Sequence, residues 1–128
     1  MRLIAIVHHF IVTENLVTTY ADISNDRNKV HLCLKTAKEK GFEDRIAHGM
    51  LILAIHSTLC TPLLEKGWAL SNVKSKFVHP IYIHDKLELS STITYHSTKK
   101  CTATISCTNF HNKTTFYGKM VFVRRSEN

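Results

Sequence analysis

The sequence lacks several patterns that would assign it at once to a well-marked class of protein. Its four cysteines form no C-x-x-C pair, and their spacing and that of the histidines match no zinc template. It has no RNA-recognition signature, and its lysines and arginines are spread along the chain. No internal repeat, low-complexity stretch or linker occurs in its 128 residues. Metal modules, repeat proteins and nucleic-acid-binding modules are therefore disfavoured, and one domain over residues 1–128 is expected.

Long apolar runs are also missing. No stretch approaches the roughly 20 apolar residues of a membrane-spanning helix. The apolar start at residues 1–7 is cut short by His8 and His9, and it lacks the length and cleavage site of a signal peptide. The four cysteines are expected to be reduced thiols. These features predict a cytoplasmic protein that does not enter a membrane.

Acidic residues are scarce relative to basic ones. Lysine and arginine number 17 against 10 aspartates and glutamates, which gives a net charge of +7. A basic surface suits a polyanionic partner such as a phosphorylated cofactor or an acidic carrier protein. Four lysines are candidate phosphate contacts, although a solvated strand face explains each of them as well: Lys74, Lys76, Lys99 and Lys100.

Apolar periodicity predicts helices in the first half of the chain. A helix over residues 14–22 follows Thr13, whose side-chain oxygen can cap the first turn. A second helix is expected over residues 31–40, with Gly41 able to take the left-handed cap position after it. A third, over residues 49–60, is apolar on every side and is therefore expected to be buried. The Thr61-Pro62 dipeptide is expected to end it, because the residue before proline avoids the helical region.

Strands account for most of the remaining sequence. β-Branched and aromatic residues alternate with polar ones in five segments: residues 3–12, 68–78, 86–98, 100–110 and 114–124. The last two breaks between segments are short enough for hairpins. One strand, then helices, then four successive strands predict an α+β domain in which an antiparallel sheet wraps around the buried helix.

Two polar segments carry groups suited to acid/base chemistry. Asp26, Asn28 and His31 offer a carboxylate, an amide and an imidazole within one short stretch. Histidine has an unperturbed pKa of about 6.5, so it can take up or release a proton near neutrality. Farther along, Gly49 opens the apolar helix, where unpaired N–H groups favour a developing negative charge. Together these groups predict proton transfer on a carbonyl compound.

These motifs resemble the MaoC-like hot-dog-fold dehydratases and, among them, the R-specific enoyl-CoA hydratases. The family motif Asp-x-Asn-Pro-x-His appears over residues 26–31 as Asp-x-Asn-Lys-x-His. The family segment Ile-x-His-Gly-Met-Leu appears over residues 46–51 as Ile-Ala-His-Gly-Met-Leu. Residues 77–85 resemble the family's Phe-x-x-Pro-Val-x-x-Gly-Asp, and Ser57 matches a serine on the family's helix.

The resemblance implies a hot-dog-fold homodimer that hydrates trans-2-enoyl thioesters reversibly to (R)-3-hydroxyacyl thioesters, with no metal and no cofactor. Its substrate would be an acyl-CoA or the thioester of an acyl carrier protein in fatty acid metabolism. Asp26 and His31 are implied as the catalytic acid/base pair, and the N–H of Gly49 as the donor to the thioester oxygen. Three further residues are implied as supporting or substrate-binding: Asn28, His48 and Ser57.

Two positions depart from the family pattern. Lys29 stands where the family has proline, and His84 stands where it has glycine before Asp85. Neither change removes a group that handles a proton, but both leave open an altered substrate or a slower enzyme. A hot-dog acyl thioesterase, in which Asp26 activates water against the carbonyl carbon, and a non-catalytic acyl-binding protein stay as alternatives. The sequence also leaves open the length of the acyl chain and whether CoA or a carrier protein bears it. It does not decide which of Asp26 and His31 is the acid and which is the base.

Overall fold

The computed structural model describes residues 3–124, in which helices lie between the first strand and four later ones. The strands are β1 (Leu3–Ile11), β2 (Trp68–Phe77), β3 (Lys86–Tyr95), β4 (Lys100–Asn109) and β5 (Thr114–Arg124). The helices are α1 (Glu14–Ser24), α2 (Lys29–Leu32), α3 (Leu34–Glu39), α4 (Gly49–Ser57) and α5 (Thr61–Glu65), with a 3₁₀ turn at Thr58–Cys60. Among residues 3–124, none of the helices is long and apolar enough to cross a membrane.

The strands form one antiparallel sheet in the order β1-β3-β4-β5-β2, so the predicted sheet is confirmed. The two predicted hairpins join β3 to β4 and β4 to β5. β1 and β2, which flank the helices in the chain, lie at opposite edges. Alternate residues of β3 and β4 are buried, and with Leu51 and Ile52 of α4 they form the core. The sheet thus has one face against the helix and one outer face.

The prediction that α4 is buried is confirmed for the side that faces the sheet but not for the opposite side. Leu51, Ile52 and His56 face the sheet and are buried, whereas Met50 is 61% exposed and Ala54 is exposed as well. Met50 and Ala54 are four residues apart, so they lie on the same side of the helix. α4 therefore has one apolar side that the single chain leaves uncovered.

Several helix boundaries differ from the prediction in a way that local geometry explains. The helix expected over residues 31–40 is divided into α2 and α3, because Cys33 between them is extended, with φ −126° and ψ 115°. α4 ends at Ser57, and Thr61 and Pro62 begin α5 instead of ending a helix. Proline suits the first turn of a helix, where its missing N–H has no intrahelical acceptor to lose.

Other local predictions are confirmed. The Thr13 side chain accepts the N–H of Leu16 at 3.1 Å and caps α1. Gly41, which follows α3, has a φ of +94°, a left-handed conformation that glycine adopts without steric strain. The four cysteines are free thiols, and Cys101 and Cys107 on β4 are fully buried.

One histidine lies entirely inside the core. His56 is fully buried on α4, with its ring edge-on to Phe116 at a centroid distance of 5.5 Å. Neither ring nitrogen has a hydrogen-bond partner within the part of the chain that the structure describes. Burial therefore lowers the pKa of His56 to about 4, and the nearby Ser90 carbonyl offsets only a small part of that effect.

We expect the free energy of unfolding to decrease as the pH falls from about 6.5 to about 4. In that range His56 is protonated in the unfolded chain but stays neutral in the fold, so the unfolded state binds more protons. A pKa difference of this size corresponds to a loss of roughly 3 kcal/mol. Urea denaturation of the wild type and of His56→Leu near neutral and acid pH measures it.

The variant His56→Leu should lose this component of the pH dependence while keeping the same fold. The exposed His9, substituted as His9→Gln, is the matched control and should behave like the wild type. The same decrease in stability with pH in His56→Leu and in the wild type would show that the buried imidazole is not its source.

Candidate active site

Asp26 and His31 come from the short stretch that joins α1 to α2. α1 ends at Asn25, whose left-handed φ of 60° turns the chain into a loop. In that loop Asp26 Oδ1 accepts the N–H of Asn28 at 3.3 Å, and Asn28 Oδ1 accepts the N–H of Val30 at 3.2 Å. Asn28 therefore caps α2, and Lys29 is the first residue of that helix. These local bonds fix the backbone between the carboxylate and the imidazole.

His31 is oriented by a long-range hydrogen bond to the backbone. Its Nδ1 lies 2.7 Å from the carbonyl oxygen of Ile46. A carbonyl only accepts, so Nδ1 carries the proton and Nε2 presents a lone pair. Burial lowers the pKa of His31 below its usual value of 6.5, although the bond to Ile46 opposes this; His48 lowers it further and Asp26 raises it. His31 is thus a neutral acceptor at pH 7.

His48 links the loop, the imidazole of His31 and the start of α4. It is the N-cap residue of α4 and is only 3% exposed. Its Nε2 donates to the backbone carbonyl oxygen of Asp26 at 2.9 Å, and its ring stacks on that of His31 with centroids 3.7 Å apart. Tyr20 of α1 contacts the His48 ring edge-on at 4.8 Å. One buried side chain therefore positions both residues of the predicted pair.

A cleft of about 480 Å³ opens beside His31 at the start of α4. Its lining comprises His31, Phe42, Ile46, Ala47, Gly49, Phe77, Val78, His79, Pro80 and Ile81. The ring of Phe77 packs directly over Gly49, where an added Cβ would lie only 3.0 Å from a ring carbon. Glycine allows this close approach, which a larger residue would permit only if the Phe77 ring shifted. It also leaves the first N–H groups of α4, which have no intrahelical acceptor, near the cleft.

A larger groove of about 740 Å³ lies along β1 and β3 and reaches Phe110. It contains none of the predicted site residues. The smaller cleft is the candidate active site because it alone, of these two, brings His31 and Gly49 to one cavity.

The structure does not bring Ser57 into this cleft. Ser57 is the last residue of α4, at the opposite end from Gly49, and its hydroxyl donates to the carbonyl of Ala54 at 2.5 Å. Its predicted contact with substrate therefore has no support from the geometry of the single chain. His84 takes the left-handed φ of 75° that a glycine would adopt freely, in a turn that the Tyr82 N–H closes by donating to Asp85 Oδ2 at 2.8 Å.

Three potential metal ligands lie close together, but their geometry does not suit one ion. Ligand atoms of Asp26, His31 and His48 lie within 4.8 Å of one another. Nitrogen ligands of a tetrahedral zinc ion are roughly 3.3 Å apart. The rings of His31 and His48 are stacked with planes only 23° apart, so their in-plane lone pairs run side by side instead of converging. The arrangement fits shared proton handling better than coordination.

Comparison with known proteins identifies the family. Residues 6–121 match the family model described as MaoC like domain. The chain belongs to this family. Over 84 residues it is 33% identical to the (R)-specific enoyl-CoA hydratase of Rhodospirillum rubrum, covering 65% of this chain and 58% of that protein. Over 71 residues it is 30% identical to the mitochondrial 3-hydroxyacyl-[acyl-carrier-protein] dehydratase of Arabidopsis thaliana, covering 56% of this chain and 42% of that protein.

The MaoC-like domain therefore matches about half the length of these two relatives. Its fold also resembles that of a solved structure, the (R)-hydratase from A. caviae, with a TM-score of 0.87. The two chains are 22% identical, and the match covers 98% of each. At this identity the likeness establishes the fold, so the predicted hot-dog architecture is confirmed.

In this MaoC-like domain we expect His31 to be neutral at pH 7 with its proton on Nδ1. The Ile46 carbonyl requires a donor at Nδ1, and burial disfavours the charged ring. Long-range ¹H–¹⁵N correlation spectra distinguish the two imidazole tautomers and give the pKa by titration, with the signal assigned from its loss in His31→Gln. A proton on Nε2, or a pKa above 6.5, would contradict this description of the site.

Proposed function

We propose that this MaoC-like domain catalyses the reversible hydration of trans-2-enoyl thioesters to (R)-3-hydroxyacyl thioesters. The observation that carries the proposal is the approach of the Asp26 carboxylate to a ring nitrogen of His31, beside a cleft that begins at Gly49. The two relatives are named a hydratase and a dehydratase, and these names describe the addition and the removal of water in one reversible reaction.

The reaction requires one water molecule held between two acceptors. The lone pair on Nε2 of His31 and the Asp26 carboxylate can each accept one O–H of that water. As the water oxygen forms its bond to C3, one water proton passes to the base. A proton is then delivered to C2, so water adds across the double bond and no other reagent is consumed.

The tautomer of His31 supports its assignment as the first proton acceptor. A neutral imidazole whose Nδ1–H is already donated to Ile46 can gain a proton only at Nε2. The resulting imidazolium can return that proton to C2, while Asp26 keeps the water oriented through its other O–H. A histidine with a pKa near neutrality is suited to both steps.

Gly49 is the residue we assign to the thioester oxygen. Attack at C3 moves negative charge onto that oxygen as an enolate forms. The N–H of Gly49, at the start of the nine-residue helix α4, is a fixed donor whose helix dipole also favours negative charge. Asn28 and His48 act indirectly, by holding the loop and the rings. Water and these groups supply every proton, so the proposed reaction uses no metal and no cofactor.

The substrate proposed is an acyl thioester of CoA or of an acyl carrier protein, in fatty acid metabolism. We further propose the cytoplasm as the location of the protein. Four free cysteines, two of them fully buried on β4, support a reducing compartment.

Asp26→Asn and His31→Ala should each lower turnover by about 10²–10⁴-fold, the usual effect of removing a general acid or base. The turnover of the double variant should be only slightly lower than that of the less active single variant, because both side chains act on one water. The assay follows loss of the conjugated enoyl absorbance of trans-2-butenoyl-CoA together with release of free thiol. Enoyl loss without thiol indicates a hydratase, and thiol release indicates a thioesterase.

Lys29→Pro is the control for these substitutions. Lys29 is the first residue of α2, a position that tolerates proline, so activity should be equal or higher. Near-wild-type hydration by Asp26→Asn would show that the active site lies elsewhere.

We also propose that two copies pair through β2. After Trp68 every residue of this edge strand is exposed, including the apolar Leu70, Val73 and Phe77. An edge strand leaves backbone N–H and C=O groups unpaired, and pairing with a symmetry-related edge satisfies them. Phe77 contacts Gly49, so the exposed Met50 of α4 lies near the same edge. A dimer formed here would cover both apolar surfaces.

Sedimentation at micromolar concentration should therefore show a species with twice the chain mass of 14.6 kDa. Val73→Asp adds a charge to the apolar side of β2 and should shift the equilibrium towards the single chain. The matched substitution Val7→Asp, on the opposite edge strand β1, should leave the dimer intact. A wild type that sediments only at 14.6 kDa would contradict the proposal.

A further inference from the structure

Charged residues are distributed unevenly across the sheet, whose edge strands are β1 and β2. β2, β4 and β5 contain no aspartate and no glutamate. The same three strands carry five basic residues: Lys74, Lys76, Lys100, Lys119 and Arg124. The acidic residues that the structure describes lie in the helices, the loops and β3. One side of the sheet is therefore positive without internal neutralisation.

Three of these residues form what we call the basic patch: Lys74, Lys76 and Lys119. In the β2–β5 register Lys74 lies directly opposite Lys119. Their neighbours Val73 and Phe77 pair with the buried Met120 and Phe116, so by strand alternation the three lysines lie on the outer face. All three are exposed, and they line one shallow groove of about 370 Å³.

Nothing in the described chain compensates the charge of the basic patch. Within residues 3–124 the ion pairs involve Arg27 and Arg45, and no lysine lies within 4.0 Å of a carboxylate. Like charges placed directly opposite each other destabilise a sheet. The Lys74–Lys119 pair is thus unfavourable in the isolated domain, and an anionic partner would relieve the repulsion.

One end of the basic patch lies next to the cleft along β2, although the lysines and Phe77 point to opposite faces of that strand. Lys76 precedes Phe77, whose ring lines the cleft and packs over Gly49. Lys76 of β2 pairs with Tyr117 of β5. Lys100 of β4 pairs with Val123, which lies six residues farther along β5. That separation is about 20 Å of strand. A positive surface of this length matches a folded acidic protein better than the few phosphates of one coenzyme.

We propose that the basic patch docks an acidic acyl carrier protein, whose thioester-bearing arm passes around the end of β2 and enters the cleft at Phe77. The inference rests on the proposed hydratase function and names the carrier of its substrate. Pairing of β2 edges in a dimer occurs in the plane of the sheet, so it leaves the outer face open. Opposite charge on the two surfaces would speed their encounter and orient the arm towards Gly49.

The test compares one acyl group on three carriers. The trans-2-butenoyl thioester of an acyl carrier protein is the docking substrate, and the same thioester on pantetheine, which has no phosphate, is the small substrate. The same thioester on CoA shows whether coenzyme phosphates use the basic patch. The variant is Lys74→Gln/Lys76→Gln/Lys119→Gln. The matched control is Lys35→Gln/Lys38→Gln/Lys66→Gln, which removes the same charge from exposed lysines outside the basic patch.

We expect the patch variant to lose about tenfold or more in kcat/KM for the carrier-protein substrate and to stay within about twofold for the pantetheine substrate. Added salt should raise KM for the carrier protein in the wild type and in the control, but much less in the patch variant. Equal kcat/KM for the carrier-protein substrate in all three proteins would overturn the proposal. A loss seen only with butenoyl-CoA would also overturn it, because the basic patch would then bind coenzyme phosphates.

Failure of the proposed function gives a different result. A wild type that hydrates none of these thioesters contradicts the hydratase assignment. Docking is then judged by calorimetric titration with the acyl carrier protein alone. Binding that depends on the basic patch supports docking, and absence of binding to the wild type overturns it.

Discussion

The stack of His48 on His31 is the contact on which the rest of the site depends. His48 caps α4, donates to the carbonyl of Asp26 and supports the ring of His31, so the start of the helix, the loop and the imidazole are fixed relative to one another. The same contact affects charge, because a second imidazole 3.7 Å away disfavours a proton on His31. Burial of the ring is the largest cause of the lowered pKa of His31, and the stack on His48 adds to it. The hydrogen bond from His31 Nδ1 to the Ile46 carbonyl fixes the tautomer of the ring.

Features encoded by neighbouring residues could be predicted from the sequence. The strands follow from alternation over ten or so residues, and Thr13 caps α1 through a bond to Leu16 three residues away. The roles of Asp26, His31 and Gly49 are predictions from motifs in which spacing and residue type both matter, and the structure places Asp26 near His31 and His31 with Gly49 in one cleft. The Ile46 carbonyl could not be found in this way. Every residue has a carbonyl, and the contact with His31 spans fifteen residues.

The differences from the prediction have more than one cause, and the first is that local composition does not say what covers a surface. α4 is apolar throughout, yet Met50 faces outwards, because the single chain supplies only one sheet face to pack against. Ser57 matches a family position but lies at the far end of α4 from Gly49, so its contact with substrate stays a prediction. Cys33 divides a segment that reads as one helix, since a short extended break leaves little trace in periodicity. The order of the strands, with β2 at an edge, likewise follows from the whole topology.

The absence of carboxylates from β2, β4 and β5 also leaves the charge of the domain unevenly distributed. These three strands carry only basic charge, while the carboxylates of residues 3–124 lie on α1, α3, α5, β3 and the loops. In an external field such a molecule experiences a torque as well as an attraction. An approaching polyanion would rotate the domain before any side chain made contact, within about one Debye length, roughly 8 Å at physiological salt. Orientation would then precede collision, and a larger share of encounters would begin with the Lys76 end of the sheet foremost.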